Sequence, residues 1–114
     1  MATVDRQLQV YEDWDRKQRE RLRALVDDDL IEEHRRRPLG QHSDALERVL
    51  AYFRRQPVAG KEVIVATRPW EEYRIAVLMG EKGRSAQLLD DTFPTEEAAM
   101  HGIFLRRLSA LMEG

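Results

Sequence analysis

The chain has 114 residues, of which 42% are hydrophobic and 35% are charged. This length fits one domain with a modest core. Its 19 basic and 21 acidic side chains give a formal net charge of −2, so it lacks the basic surplus that is typical of nucleic-acid-binding domains. Cysteine is absent, which excludes disulfides, thiolate metal sites and catalysis by cysteine.

Nothing near the N-terminus has the features of a signal peptide, because no apolar stretch follows a basic start. The longest unbroken apolar run covers residues 75–79, which is far too short to cross a bilayer. We therefore expect a cytoplasmic protein.

Residues 4–37 are charged and helical in pattern, and they predict two helices. The acidic residues 27–29 should end the first helix and cap the second, and Pro38 should end the second. The first helix carries an apolar stripe with a polar gap at residues 15–21, which predicts a helix packed at both ends that crosses solvent or another chain between them. A helix that is simply exposed is the alternative. The stripe consists of Leu8, Tyr11, Trp14, Leu22, Leu25 and Val26.

A third helix is predicted to follow Ser43, its N-cap. Its apolar positions recur at helical spacing, and residues 57–60 break it. The stripe consists of Leu46, Val49, Leu50 and Phe53.

The second half of the chain predicts three strands and one helix. The strands cover residues 61–67, 70–79 and 86–89, which are rich in β-branched and aromatic side chains. Their turns, at residues 67–69 and 80–83, are too short for parallel pairing. Thr95 should cap the final helix, whose buried face would hold Met100, Ile103, Phe104, Leu108 and Leu111.

These elements predict an α+β fold with the order α-α-α-β-β-β-α. The strands should form a three-stranded antiparallel meander, with the third and final helices packed on one face. We expect a single domain over residues 1–114, in which residues 1–37 form charged peripheral helices and residues 43–113 form the core.

Chemistry-bearing residues do not form a recognisable catalytic motif. Glu97 and His101 lie four apart on one helical face, but they would supply two metal ligands where zinc sites normally take three from the protein. A surface pair is the simpler interpretation. His34 is expected at a solvated helix end, and His42 in a turn where it could support the cap at Ser43. No glycine-rich phosphate loop or nucleophile elbow is present.

Aromatic and arginine side chains are the better functional candidates, since these residue types anchor protein interfaces. Trp70 and Tyr73 could instead cover the sheet. Stacking of single-stranded nucleic acid on them would need neighbouring cations, whereas residues 71 and 72 are both Glu. The candidate interface residues are Tyr11, Trp14, Trp70, Tyr73, Arg74, Arg106 and Arg107.

An ordered series of short segments covers most of the chain and resembles the small (alpha) subunit of N,N-dimethylformamidase. The segments are Glu33-His34, Pro38-Leu39-Gly40, residues 52–57 (YFRRQP), Gly60-Lys61, Trp70, residues 73–76 (YRIA), residues 93–101 (FPTEEAAMH) and residues 104–107 (FLRR). Their order and spacing carry the resemblance, and the helix with Trp14 is a looser match.

The resemblance implies a hetero-oligomeric enzyme that hydrolyses the amide bond of dimethylformamide. A large subunit would carry a mononuclear iron and the catalytic residues, and this chain would stabilise it without a catalytic residue or cofactor of its own. A free-standing interaction or regulatory domain is the first alternative. A nucleic-acid-binding domain and a metalloenzyme built on Glu97 and His101 are weaker ones.

Overall fold

The computed structural model describes residues 2–56, 61–79 and 86–113, with side chains from residue 7 onward. The elements are α1 (Ala2–Leu25), α2 (Asp28–Arg36), α3 (Asp44–Arg54), β1 (Glu62–Arg68), β2 (Glu72–Val77), β3 (Gln87–Phe93) and α4 (Glu96–Glu113). This order is the predicted one, and it confirms the α+β class.

Side-chain caps define where three helices begin, and all three are those predicted. Asp27 accepts a hydrogen bond from the Leu30 amide at 2.8 Å. The hydroxyl oxygen of Ser43 accepts one from the Leu46 amide at 3.3 Å. That of Thr95 accepts one from Ala98 at 3.0 Å. Each cap satisfies an amide that the helix itself leaves unpaired.

The strands form one antiparallel sheet in the order β1-β2-β3, which confirms the meander. Most strand bounds differ from the prediction by one or two residues, β2 at both ends, and β3 ends four residues later than predicted. β2 begins at Glu72 because Trp70 has a positive φ of 70° and lies in the turn. β3 extends to Phe93, which pairs with Tyr73. Its polar residues 90–92 lack the apolar pattern of a strand. The predicted turn at residues 80–83 lies outside the described residues.

α4 covers one face of the sheet and contacts all three strands. A Cβ atom added at Gly102 would lie 2.6 Å from the Phe93 ring and 3.4 Å from Ile75 Cδ1. The backbone of α4 therefore rests almost directly on the sheet at this point. On the opposite face of the sheet, Val63, Val65 and Leu88 are exposed.

The other side of α4 packs against the remaining helices. α1 and α2 contact α4, whereas α3 packs mainly against α1 and α2. The result is a layer of helices, then α4, then the sheet. The core cluster draws on all four helices and consists of Leu22, Leu30, Leu46, Val49, Tyr52, Phe53, Phe104, Leu108 and Leu111.

Only the second half of α1 joins this core. Leu22 is 1% exposed, whereas Leu8 is 57% exposed, so the prediction of packing at both ends is wrong. A helix of 24 residues is about 36 Å long, and the helical layer beneath it is shorter. The radius of gyration is accordingly 16.3 Å, compared with about 13 Å for a compact domain of this length.

Truncating the apolar stripe of α1 should therefore lower the free energy of unfolding strongly at one end and hardly at all at the other. Leu22→Ala should lower the free energy of unfolding by about 2–5 kcal/mol, because it opens a cavity in the core. Leu8→Ala should change it by less than about 0.5 kcal/mol, because Leu8 contacts little that is buried. Urea denaturation of both variants provides the measurement, and equal losses would contradict the one-sided packing of α1.

Candidate functional site

Three histidines gather around Phe104, where α2, α3 and α4 meet. The ring of His34 stacks on Phe104 with centroids 4.0 Å apart and planes 10° apart. The rings of His101 and His42 lie 5.2 Å and 6.3 Å from His34. His34 is 4% exposed, which corrects the expectation of a solvated helix end. That expectation failed because α4 covers the last turn of α2.

His34 and His101 contact each other through their δ nitrogens, which are 3.0 Å apart. One nitrogen must donate and the other accept, so the contact exists only while at least one of them lacks its proton. Burial, followed by the charge of His101 and of His42, lowers the pKa of His34 to about 4. The pKa of His101 is also lowered, mainly by burial and then by Arg35. Both imidazoles are therefore neutral at pH 7.

His42 and Glu33 join α2 to α3. The ring nitrogens of His42 lie 2.6 Å from the carbonyl oxygen of Arg37 and 3.1 Å from Glu47 Oε1. Ser43 donates to the Glu33 carboxylate from its amide at 2.7 Å and from its hydroxyl at 2.6 Å. These bonds with Ser43 lower the pKa of Glu33. His42 thus supports the turn before the Ser43 cap, as expected.

The weak metal candidates Glu97 and His101 lie on α4 near this cluster. The δ nitrogen of His101 already faces His34, while Glu97 is exposed and borders a shallow depression with Leu39 and Met100. Within the described ranges, no three His, Asp or Glu side chains are grouped as metal ligands.

A separate cavity of about 480 Å³ lies between α1, α3, α4 and the start of β1. Its floor is apolar and includes Phe53 and Leu111. Its charged lining consists of Asp15, Arg19, Lys61, Glu62, Arg106 and Arg107. Two of the predicted interface arginines, 106 and 107, therefore form part of its wall.

One wall of the cavity is a carboxylate held by two arginines. Arg107 Nε donates to Glu62 Oε1 at 3.1 Å, and Arg106 Nε donates to Glu62 Oε2 at 3.3 Å. The Glu62 side chain is 9% exposed, so this contact ties β1 firmly to α4. The sequence identified both arginines as interface candidates. It did not identify Glu62 as their partner, because Glu62 lies 44 positions away from Arg106.

The facing wall comes from α1 and α3. Asp15 accepts a hydrogen bond from the Tyr52 hydroxyl at 3.0 Å. Burial, followed by Asp15, raises the pKa of Tyr52 to about 12, so the hydroxyl keeps its proton. Arg19 Nε lies 3.2 Å from Asp15 Oδ2. This nitrogen is shielded from solvent, yet its N–H makes no hydrogen bond to any described residue, so the contact is an ion pair without hydrogen-bond alignment.

The remaining interface candidates divide into exposed and internally bonded side chains. Trp70 is 91% exposed. Tyr11 and Trp14 are exposed on α1, with ring centroids 6.2 Å apart. Tyr73 is half-buried. Arg74 donates to the Leu89 carbonyl at 2.7 Å and so serves the sheet itself.

Fold and side-chain pairing together define a small α+β domain. The ionisable groups of the histidine cluster and of the cavity wall largely contact one another, and Tyr11, Trp14 and Trp70 are exposed. Residues 9–114 match the family of N,N-dimethylformamidase alpha subunits. The chain belongs to that family, as the resemblance in the sequence predicts.

Two curated relatives agree with this assignment. The N,N-dimethylformamidase alpha subunit of Paracoccus aminophilus is 45% identical, over 94% of this chain and 79% of the relative. The subunit of the same name from an Alcaligenes species is 40% identical, over 91% of this chain and 82% of the relative. In the part of the chain that the structure describes, no helix is both long enough and apolar enough to cross a membrane.

The buried imidazole pair should make stability depend on pH. Because the folded pKa of His34 is about 4 and the unfolded value is about 6.5, protonation favours the unfolded chain. The contribution of His34 to the free energy of unfolding is present in full above about pH 6.5. It decreases as the pH drops towards 4. Between pH 7.5 and 5.0 we expect a loss of about 2 kcal/mol from His34 alone.

Urea denaturation at both pH values provides the measurement, with His34→Phe as the control. Phenylalanine keeps the stacking on Phe104 but cannot take up a proton. The variant should lose about 2 kcal/mol less than the wild-type chain over this interval. Equal losses in both chains would show that His34 does not cause the dependence.

Proposed function

We propose that this chain is the non-catalytic small subunit of an amide-hydrolysing enzyme of the N,N-dimethylformamidase type. The observation that carries the proposal is membership of the alpha-subunit family over residues 9–114. The relatives bear the name of a subunit, and a subunit implies a complex with another chain.

The state of the ionisable groups supports a non-catalytic role. A general base needs a pKa near the working pH and free access to its substrate. His34 is buried, and its δ nitrogen is occupied by His101. Glu62 is held by two arginines, and Asp15 is held by Tyr52 and Arg19. These groups act on one another and stabilise the contacts between elements.

The proposed partner is a large catalytic subunit of the same enzyme, located in the cytoplasm. The iron implied by the family resemblance is assigned to that subunit, and this chain would stabilise it. Exposed Trp70, Tyr11 and Trp14 suit such a contact, because aromatic side chains bury large areas at low entropic cost in interfaces.

Activity measurements on separate and combined subunits test the proposal. The purified small chain should hydrolyse neither dimethylformamide nor formamide, while the large subunit co-expressed with it should release formate. The large subunit expressed alone should be less soluble or less stable. Turnover by the pure small chain would refute the accessory role, and failure of the two chains to associate would refute the partner.

Trp70 provides a sharper prediction, because its exposure and its backbone conformation are both unfavourable in the isolated chain. The positive φ of 70° costs a bulky residue about 1–3 kcal/mol, and glycine avoids that cost. Trp70→Gly should therefore leave the unfolding free energy of the isolated chain within about 1 kcal/mol of wild type. It should weaken association with the large subunit about tenfold or more.

The matched control is Leu39→Ala, which truncates another exposed apolar residue in a turn. This variant should bind the large subunit as the wild type does. Binding by titration calorimetry and stability by urea denaturation separate the two effects. Unchanged affinity in Trp70→Gly would remove Trp70 from the interface.

A further inference from the structure

The charges around the cavity between α1, α3 and α4 do not balance. Four cationic side chains line it, from Arg19, Lys61, Arg106 and Arg107, against two carboxylates. The two carboxylates, Glu62 and Asp15, are already engaged by groups of the wall itself. The cavity therefore has a surplus of positive charge and favours an anion.

Hydrogen-bond donors are also left over. Arg106 and Arg107 contact Glu62 through Nε, and their terminal guanidinium nitrogens make no hydrogen bond to another described residue. Arg106 is 50% exposed at the mouth of the cavity. Two guanidinium groups side by side suit a carboxylate, which can accept from both. On the opposite wall, the Nε–H of Arg19 makes no hydrogen bond to a described residue, so this donor also lacks an acceptor.

The surroundings of the mouth suit a protein more than a free small ion. Tyr11 lies one turn before Asp15 on the same side of α1, and it is exposed together with Trp14. The exposed first half of α1 therefore places the aromatic side chains of Tyr11 and Trp14 beside the cationic cavity. Aromatic and arginine side chains of this kind dominate the centres of protein interfaces. The open face of the sheet presents exposed Val63, Val65 and Leu88, and Arg74 of that sheet is already bonded to Leu89 and paired with Asp90.

We propose that this cavity receives a carboxylate-bearing side chain of the large subunit, with the exposed half of α1 packed against the same segment. This assignment rests on the proposed function and specifies where the large subunit binds. The aspartate or glutamate would accept hydrogen bonds from Arg106 and Arg107 and compensate the positive surplus. Tyr11 and Trp14 would cover the apolar part of the segment beside it.

Charge reversal at the mouth tests the assignment in the complex of full chains. Arg106→Glu should raise the dissociation constant for the large subunit about tenfold or more at low salt, and the effect should shrink as salt is added. Arg106→Lys keeps the charge and should lose much less. Arg36→Glu reverses an exposed charge on α2 that also pairs with a glutamate but lies outside the cavity, and it should stay within about twofold of wild type.

Circular dichroism and urea denaturation verify that each variant is folded. If Arg106→Glu does not fold, Arg106→Gln replaces it, because the neutral amide avoids repulsion from Glu62. A photo-crosslinking residue at Tyr11 gives an independent measurement. It should react with a segment of the large subunit that contains aspartate or glutamate.

The outcomes separate this inference from the proposed function. An active complex in which every Arg106 variant binds within about twofold of wild type overturns the cavity assignment and leaves the function intact. Crosslinks between two copies of this chain also overturn it, as does binding of free acetate with unchanged complex affinity. If the wild-type chains do not associate, the proposed function fails and this inference fails with it.

Discussion

The burial of α4 on two opposite sides, with Phe104 on one of them, is the constraint on which the rest of the structure depends. The ring of Phe104 stacks on His34 of α2 and meets Phe53 of α3 edge to face at 6.1 Å. The opposite side of α4 rests on the sheet through Gly102. A chain this short buries a limited fraction of its surface. Because α4 is shared by the helical layer and the sheet, both layers are stabilised through contacts with one helix.

This arrangement determines where the polar groups of the chain meet. Arg23 of α1 donates to the carbonyl of Leu111 near the end of α4 at 2.7 Å, which holds the second half of α1 against the core. The same docking places Asp15 beside Tyr52 and leaves a cavity whose other wall is Glu62 with its arginines. The cavity is therefore a consequence of a long helix lying across a small domain.

Two features cost stability when the chain is alone. Trp70 combines near-complete exposure with a left-handed backbone, and the Arg19 Nε–H is buried without a hydrogen bond. Natural proteins violate local rules of this kind mainly at functional sites. The proposed association with a large subunit would account for both features, because contacts with that partner would compensate their cost.

The sequence by itself determined the local structure: the element order, the three caps and the apolar faces of α3 and α4. These depend on interactions within about four residues along the chain, so residue spacing is sufficient to predict them. The sequence also identified the family, through the order and spacing of its short segments. It did not reveal that Leu8 is exposed while Leu22 is buried, since both occupy the same stripe.

Only the tertiary structure decided which polar groups meet. His34 and His101 are 67 positions apart, Asp15 and Tyr52 are 37 apart, and Glu62 and Arg106 are 44 apart. Such pairs form when packing of the apolar faces brings distant elements together, and no periodic pattern encodes them. The buried imidazole pair and the cationic cavity follow from that packing, whereas the caps and stripes that make the packing possible are local.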